Sequence, residues 1–183
     1  VDKVENMLAS LSLWLSDAVW EAVSRGDGPD HEDIAVLVLV GQEPLRITDL
    51  AAATGRTHSA TVRAIDRLAA AGLVDRHPGA ARDARAVLVE LTAAGEAARR
   101  SALDARARAL TPVTALLDEE QRAALGPLLE VMLEAVTTSA AAGTRICRLC
   151  DDDVCVPLGC PVEQRCLVFE TSDQQAPDGS GRA

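Results

Sequence analysis

Aromatic side chains are almost missing from this 183-residue chain, which has two Trp, one Phe and no Tyr. A β-sandwich core leans on aromatic and β-branched residues, so the shortage points to helices packed on helices, which the abundant Ala and Leu favour. Basic residues are in the minority, 18 Lys and Arg against 28 Asp and Glu, and the net charge of −10 argues against a nonspecific nucleic-acid coat protein. Histidine is scarce. His31, His58 and His77 fall in separate stretches without a paired nucleophile, and no phosphate loop is present, so the chain is not expected to be an enzyme. The first residues lack a basic leader, and residues 4–23 mix apolar positions with Glu, Asn, Ser and Asp, the pattern of neither a signal peptide nor a membrane span. Cysteine does not occur before position 147. All five lie within Cys147–Cys166, too local for a disulfide framework, so the expected setting is cytoplasmic, with no membrane partner.

What is present is an apolar mass of 48%, enough for one medium core or two small ones. Charge is unevenly spread. Between Arg46 and Leu91 seven Arg stand against five acids, a net of +2, which leaves −12 elsewhere. The stretch "THSATVRAIDRLAAAGLVDR", Thr57 to Arg76, lies at the centre of this mildly basic island. Val62, Ile65, Leu68 and Ala69 make one helical stripe, Gly72 suits a left-handed helix stop, and Leu73-Val74 begins extended chain. The opposite face carries Thr57, His58, Ser59, Thr61, Arg63 and Arg67, hydroxyl, imidazole and guanidinium groups able to bond base edges or phosphates of double-stranded DNA.

The neighbouring stretches give this helix a setting. Residues 3–25 form a first helix whose stripe of Met7, Leu11, Trp14, Leu15, Ala18, Val19 and Ala22 is more apolar than a monomer needs. Asp30 caps a helix from His31 to about Val40, with Ile34, Leu37 and Val38 inward. Gly41–Pro44 is a turn, Ile47–Thr54 a short helix ended by Gly55, and Thr57 or Ser59 caps the next, making a helix-turn-helix. Leu73–His77 and Ala86–Leu91 read as strands around a loop in which Arg82 and Arg85 can reach a minor groove or phosphates, with Asp83 holding a guanidinium. Such a basic loop is a wing. Thr92 opens a further helix with Pro112 near its end. Asp118 opens the last, striped by Leu125, Leu128, Leu129, Met132, Leu133 and Val136, and Gly126-Pro127 should kink or restart it. These two helices and the first make a second layer, most economically a dimer interface.

Residues 5–140 resemble the MarR-type winged-helix transcriptional regulators. "SATVRAIDRLAAAGLVDR" is similar to the family's recognition helix and following strand. "RDARAVLVELTAAG" is similar to its wing, last strand and the Leu-Thr-x-x-Gly that opens the next helix, here Leu91, Thr92 and Gly95. The chain departs from the family in having Thr61-Val62 where Val-Thr is common before the helix arginine. The resemblance implies a mainly α fold, a winged helix-turn-helix with a helical dimerisation layer, to which this chain adds a small Cys-rich C-terminal extension. It implies an obligate homodimer on a palindromic operator, wing arginines in flanking minor grooves, and a cleft between the layers that holds a small-molecule effector.

The extension is outside that resemblance. Cys147, Cys150, Cys155 and Cys160 give C-x2-C-x4-C-x4-C, with Cys166 left over. Asp151, Asp152 and Asp153 raise the pKa of nearby thiols, whereas a bound cation would hold the sulfurs deprotonated. That favours a metal site at Cys147, Cys150, Cys155 and Cys160, with Arg145, Arg148 and Arg165 around it. The spacing resembles a zinc knuckle lacking its aromatics, and Cys160-Pro161 resembles ferredoxin ligand environments, so zinc and an iron–sulfur cluster, one per chain, both stay open. Two alternatives also stand: a thiol/disulfide switch without metal, or a purely structural cysteine site in a small-molecule-responsive regulator. The expected organisation is a dimerisation helix at 1–29, a DNA-binding lobe at 30–91, dimerisation helices at 92–142, the metal-binding segment at 143–170 and a disordered tail at 171–183. A metal-bound knot so close to the final dimer helix would bias the spacing of the two recognition helices.

Overall fold

The computed structural model describes residues 2–24, 28–79 and 87–174. Its elements follow in the order α1 (Lys3–Val23), α2 (His31–Val40), β1 (Leu45–Arg46), α3 (Ile47–Thr54), α4 (His58–Ala70), β2 (Val74–Pro78), β3 (Val87–Leu91), α5 (Ala93–Thr114), α6 (Glu119–Val136), α7 (Ala140–Ile146), α8 (Asp152–Cys155), a 3-10 turn (Val156–Leu158) and α9 (Pro161–Gln174). The fold is mainly helical, a winged helix-turn-helix with a helical layer beside it, as the sequence predicts.

Helix α2 is the centre of the core. Every residue from Ile34 to Val40 is buried, because a run that is apolar on all sides must be covered on all sides. The inward set is thus wider than the predicted Ile34, Leu37 and Val38. Leu50 and Ala53 of α3, Ile65 and Leu68 of α4, Val74 and Val89 from the sheet, and Ala102 and Leu103 of α5 close around it. Full burial of one such aliphatic side chain contributes about 1.5–3 kcal/mol, so this cluster, rather than the surface ion pairs, holds the lobe together.

The antiparallel sheet has strand order β1-β3-β2, with Val74 opposite Leu91 and Leu45 opposite Val89. Thr92 joins sheet to helix: its hydroxyl donates to the Gly72 carbonyl at 2.7 Å and accepts from Gly95 N–H at 3.0 Å, capping α5. Gly95 is obligatory here, since a Cβ would lie 1.9 Å from the Leu73 carbonyl oxygen.

Helices α5 and α6 differ from expectation in one respect. Helix α6 runs unbroken through Gly126-Pro127, with an Asp118–Gln121 capping box at its start, so no restart occurs. The apolar stripes of α1 and α6 lie on the surface of the single chain. Met7, Leu8, Leu11 and Trp14 are exposed on α1, as are Leu125, Leu128, Leu129, Met132 and Val136 on α6.

The cysteine segment is not a separate appendage. Helix α7, capped by Ser139, packs on α3 and α9, and α9 packs on α6. Leu149 joins the edge of the main core. Helix α9 crosses position 171 and continues to Gln174, and residues 175–183 of the expected tail lie outside the described residues.

Candidate nucleic-acid interface and thiol cluster

Helices α3 and α4 form the helix-turn-helix. Gly55 ends α3 at φ 69°, a left-handed stop, and the Thr57 hydroxyl accepts the Ala60 N–H at 3.3 Å to start α4. Thr57, His58, Ser59 and Arg63 are all exposed along the first turns of α4, one polar strip on the outer face. Thr57 Oγ1 and Ser59 Oγ stand 3.3 Å apart, so the two hydroxyls are held side by side.

Of the two other residues expected on this strip, one is buried and one is engaged by a carboxylate. Thr61 is fully buried, its hydroxyl donating back to the Thr57 carbonyl at 3.2 Å. That bond satisfies the polar group internally, which lets threonine stand in the apolar stripe. The buried set is Thr61, Ala64, Ile65 and Leu68, with Val62 only half-buried. Arg67 does not point freely outward either. Its Nε and Nη2 donate to the two carboxylate oxygens of Asp33 at 3.0 and 2.6 Å, a bidentate clamp between α4 and α2. Burial pushes the Asp33 carboxyl above its usual range, against the opposing pull of Arg67, and the same hydrogen bonds raise Arg67. Arg56, just before the cap of α4, pairs with Glu32 at 2.8 Å and approaches Asp33 at 3.6 Å. The turn is therefore tied to α2 by two arginines that the sequence reading did not assign to this task. Arg82 and Arg85 lie outside the described residues.

The thiols of Cys147, Cys150, Cys155 and Cys160 gather beneath α5 and α6. Cys150 is the hub, in hydrogen-bond contact with Cys147 and Cys155, while Cys155 contacts Cys160. The bond from Cys147 lowers the Cys150 thiol to about 6, helped by Arg106 of α5, despite the opposing effects of burial and Asp152. Its partners move the other way. The hydrogen bond to Cys150, with burial, holds Cys147 far above the usual thiol range, and burial followed by Cys160 pushes Cys155 up to about 12. Arg106 is the residue missed from sequence, because 44 positions separate it from Cys150 and only folding joins them. Among the described residues, no three His, Cys, Asp or Glu side chains stand where they could hold a metal ion.

The expected ring of arginines is also rearranged. Arg165 lies over Phe169 at 5.0 Å, Arg148 lies over Trp20 of α1 at 5.5 Å, and the Arg145 guanidinium sits against Gly55 in the helix-turn-helix. Buried Arg99 of α5, clamped to Glu96 at 2.9 Å, reaches Asp153 at 3.9 Å. Cys166 packs on α7, where a Cβ on Gly143 would fall 2.2 Å from its sulfur.

Comparison with known proteins agrees with this geometry. Residues 28–86 match the MarR family. No curated protein matches the chain in sequence. Among solved structures, RV1404 of Mycobacterium tuberculosis is similar at 25% identity and TM-score 0.60, covering 74% of this chain and 95% of its own. The MarR family protein RV2887 of the same organism, solved with p-aminosalicylic acid, aligns at 25% identity and TM-score 0.56 over 72% of this chain and 98% of its own. Apo MarR of E. coli aligns at 23% identity and TM-score 0.60 over 73% and 98%. Among the described residues no helix is long and apolar enough to cross a membrane.

Proposed function

We propose that this MarR-type winged helix is a homodimeric, sequence-specific DNA-binding transcriptional regulator, a repressor acting in the cytoplasm, and a binding protein rather than an enzyme. The observation that carries the reading is the exposed strip of Thr57, His58, Ser59 and Arg63 on α4, presented by a turn clamped to the core. In this reading the strip enters a major groove, where Arg63 suits guanine and the hydroxyls suit bases or phosphates. Arg82 and Arg85 of the wing follow the backbone alongside. The exposed apolar stripes of α1 and α6 support self-association, which would cover them. An electrophoretic shift with fragmented genomic DNA tests the reading: a few fragments should be retained at low nanomolar dimer, and uniform retention of all fragments would defeat it.

The cysteine segment adds a sensor. In this reading Cys147, Cys150, Cys155 and Cys160 bind one zinc ion or one iron–sulfur cluster per chain, which supplies a cation that holds all four sulfurs as thiolates. Support comes from the gathering of these four thiols, with Cys150 already displaced toward the thiolate.

The nearness of Cys147 to Cys150 also favours a second reading, a thiol switch without metal. Hydrogen peroxide would take two electrons from Cys147 and Cys150, forming one disulfide and, with the two thiol protons, leaving as two waters. Metal analysis of protein purified without oxygen separates the two: about one zinc or cluster per chain supports the first, and four freely titrating thiols support the second.

A further inference from the structure

The cysteine extension carries its charge unevenly. Its acidic run is turned toward α5, where Asp153 reaches Arg99 at 3.9 Å. Arg145, on α7, is turned instead to the turn of the helix-turn-helix, where a Cβ on Gly55 would lie 3.2 Å from its Cζ. Arg145 and Gly55 are both exposed, so this contact is on the surface of the turn. Gly55 stands two residues ahead of Thr57, the N-cap of α4. Consecutive Cα atoms are about 3.8 Å apart across a trans peptide. The guanidinium is therefore no more than about 12 Å from the Thr57 Cα. Among the described residues no acid or carbonyl is paired with it. Arg148, which donates Nη1 to the Arg145 backbone carbonyl at 2.6 Å, brings a second charge of the same sign. A guanidinium is all donor and no acceptor, so Arg145 offers its N–H groups to an anion outside the chain.

We propose that Arg145 contacts a backbone phosphate of the bound duplex, which makes the cysteine extension part of the DNA interface. The proposal rests on the reading of α4 as the helix that enters DNA. A major groove is about 12 Å wide, so a helix inside it has a phosphate strand along each flank. A cation within that same distance of the helix N-terminus stands at the backbone. The planar guanidinium suits a phosphate, since two parallel N–H groups donate to two of its oxygens. A phosphate contact carries no sequence information; Arg145 adds affinity and register, while α4 supplies the choice of sequence. It also gives the thiols a direct hold on DNA, because Arg145 is two positions from Cys147 and α7 packs on α3. The competing role is that of a brace, a cation set against the partial negative charge at the C-terminal end of α3. A brace acts on stability and leaves the salt dependence of binding alone.

The test is anisotropy titration of a genomic fragment retained by the protein, and of a scrambled duplex, over a range of salt concentrations. The full-length chain is compared with Arg145→Gln and Arg145→Lys. Arg145→Gln should weaken both duplexes alike, roughly tenfold near physiological salt, and lower the slope of log affinity on log salt by about 2 per dimer, one phosphate for each chain. Arg145→Lys should restore most of that slope, because lysine keeps the charge. The preference for the fragment and the thermal midpoint should be unchanged in both variants. An unchanged slope in Arg145→Gln overturns the proposal, and a fall in affinity that follows a fall in thermal midpoint at unchanged slope makes Arg145 a brace. Equal binding of both duplexes by the wild-type chain, with the slope still lowered in Arg145→Gln, supports this contact while contradicting sequence reading by α4. Binding of neither duplex overturns both.

Discussion

Replacement of Arg67 by alanine should damage the fold rather than the reading of DNA, and its cost should depend on pH. The side chain makes two charged hydrogen bonds to Asp33, at 3.0 and 2.6 Å, and the Asp33 side chain is only 3% exposed. A hydrogen bond to a charged group contributes about 1.5–3 kcal/mol. Arg67 is itself half-exposed, and Arg56 stays within 3.6 Å of the stranded carboxylate, so the loss should fall near the low end, about 2 kcal/mol. In a chain of this size that lowers the thermal midpoint by about 4–8 °C. Burial raises the folded-state pKa of Asp33 above its usual value, so the folded state holds this proton more tightly than the unfolded chain. The Asp33 contribution to stability therefore declines as pH rises through the folded pKa. Loss of Arg67 removes a stabiliser of the ionised form and carries that pKa higher still. The penalty of Arg67→Ala should be full above the folded pKa of Asp33 and fade as pH falls through it, where a neutral carboxyl no longer needs the guanidinium. Urea unfolding of both proteins at pH 7 and in mild acid measures this. A penalty below about 0.5 kcal/mol, or one equal at both pH values, would refute the clamp.

Three further outcomes follow from the same geometry. Ser59→Ala or Arg63→Ala should leave the thermal midpoint unchanged yet cost about 1–3 kcal/mol in operator affinity if either reads a base, as fluorescence anisotropy would show. Serine at Cys147, Cys150, Cys155 or Cys160 should abolish the metal content of anaerobically purified protein, whereas Cys166→Ser should not, because Cys166 packs on α7 with its thiol toward the Ala140 carbonyl. Gly95→Ala should destabilise the chain by about 3 kcal/mol in denaturant titration, since its methyl group would meet the Leu73 carbonyl and not a movable side chain.

The helix-turn-helix was legible because its signals are local. Asp30, Thr57, Thr92 and Asp118 each cap the helix expected of them, and Gly55 and Gly72 take φ near 70° where the chain must turn. What escaped depends on partners distant in sequence. Strand β1 is two residues long and exists only through pairing with β3. Thr61 was placed outward because a hydroxyl looks polar in sequence, although its bond to the Thr57 carbonyl hides it from the apolar surroundings. The Arg67–Asp33 clamp escaped because the carboxylate lies 34 positions earlier in the chain. The docking of the cysteine segment on α3, α5 and Trp20 had no signature either, since each contact joins residues separated by most of the fold. That docking changes the expected route from the thiols to DNA. Arg145 against Gly55 touches the helix-turn-helix directly, so a change at the cysteines need not act through dimer spacing alone.

The central claim, a dimer that reads DNA sequence with α4, is tested most directly by anisotropy titration of a genomic fragment retained by the protein against a scrambled duplex of equal length at fixed salt. The account predicts binding of one dimer per site, at least about a thousandfold tighter than to the scrambled duplex, with the preference lost in Arg63→Ala. Equal affinity for both duplexes, or a monomer on the retained fragment, would contradict it.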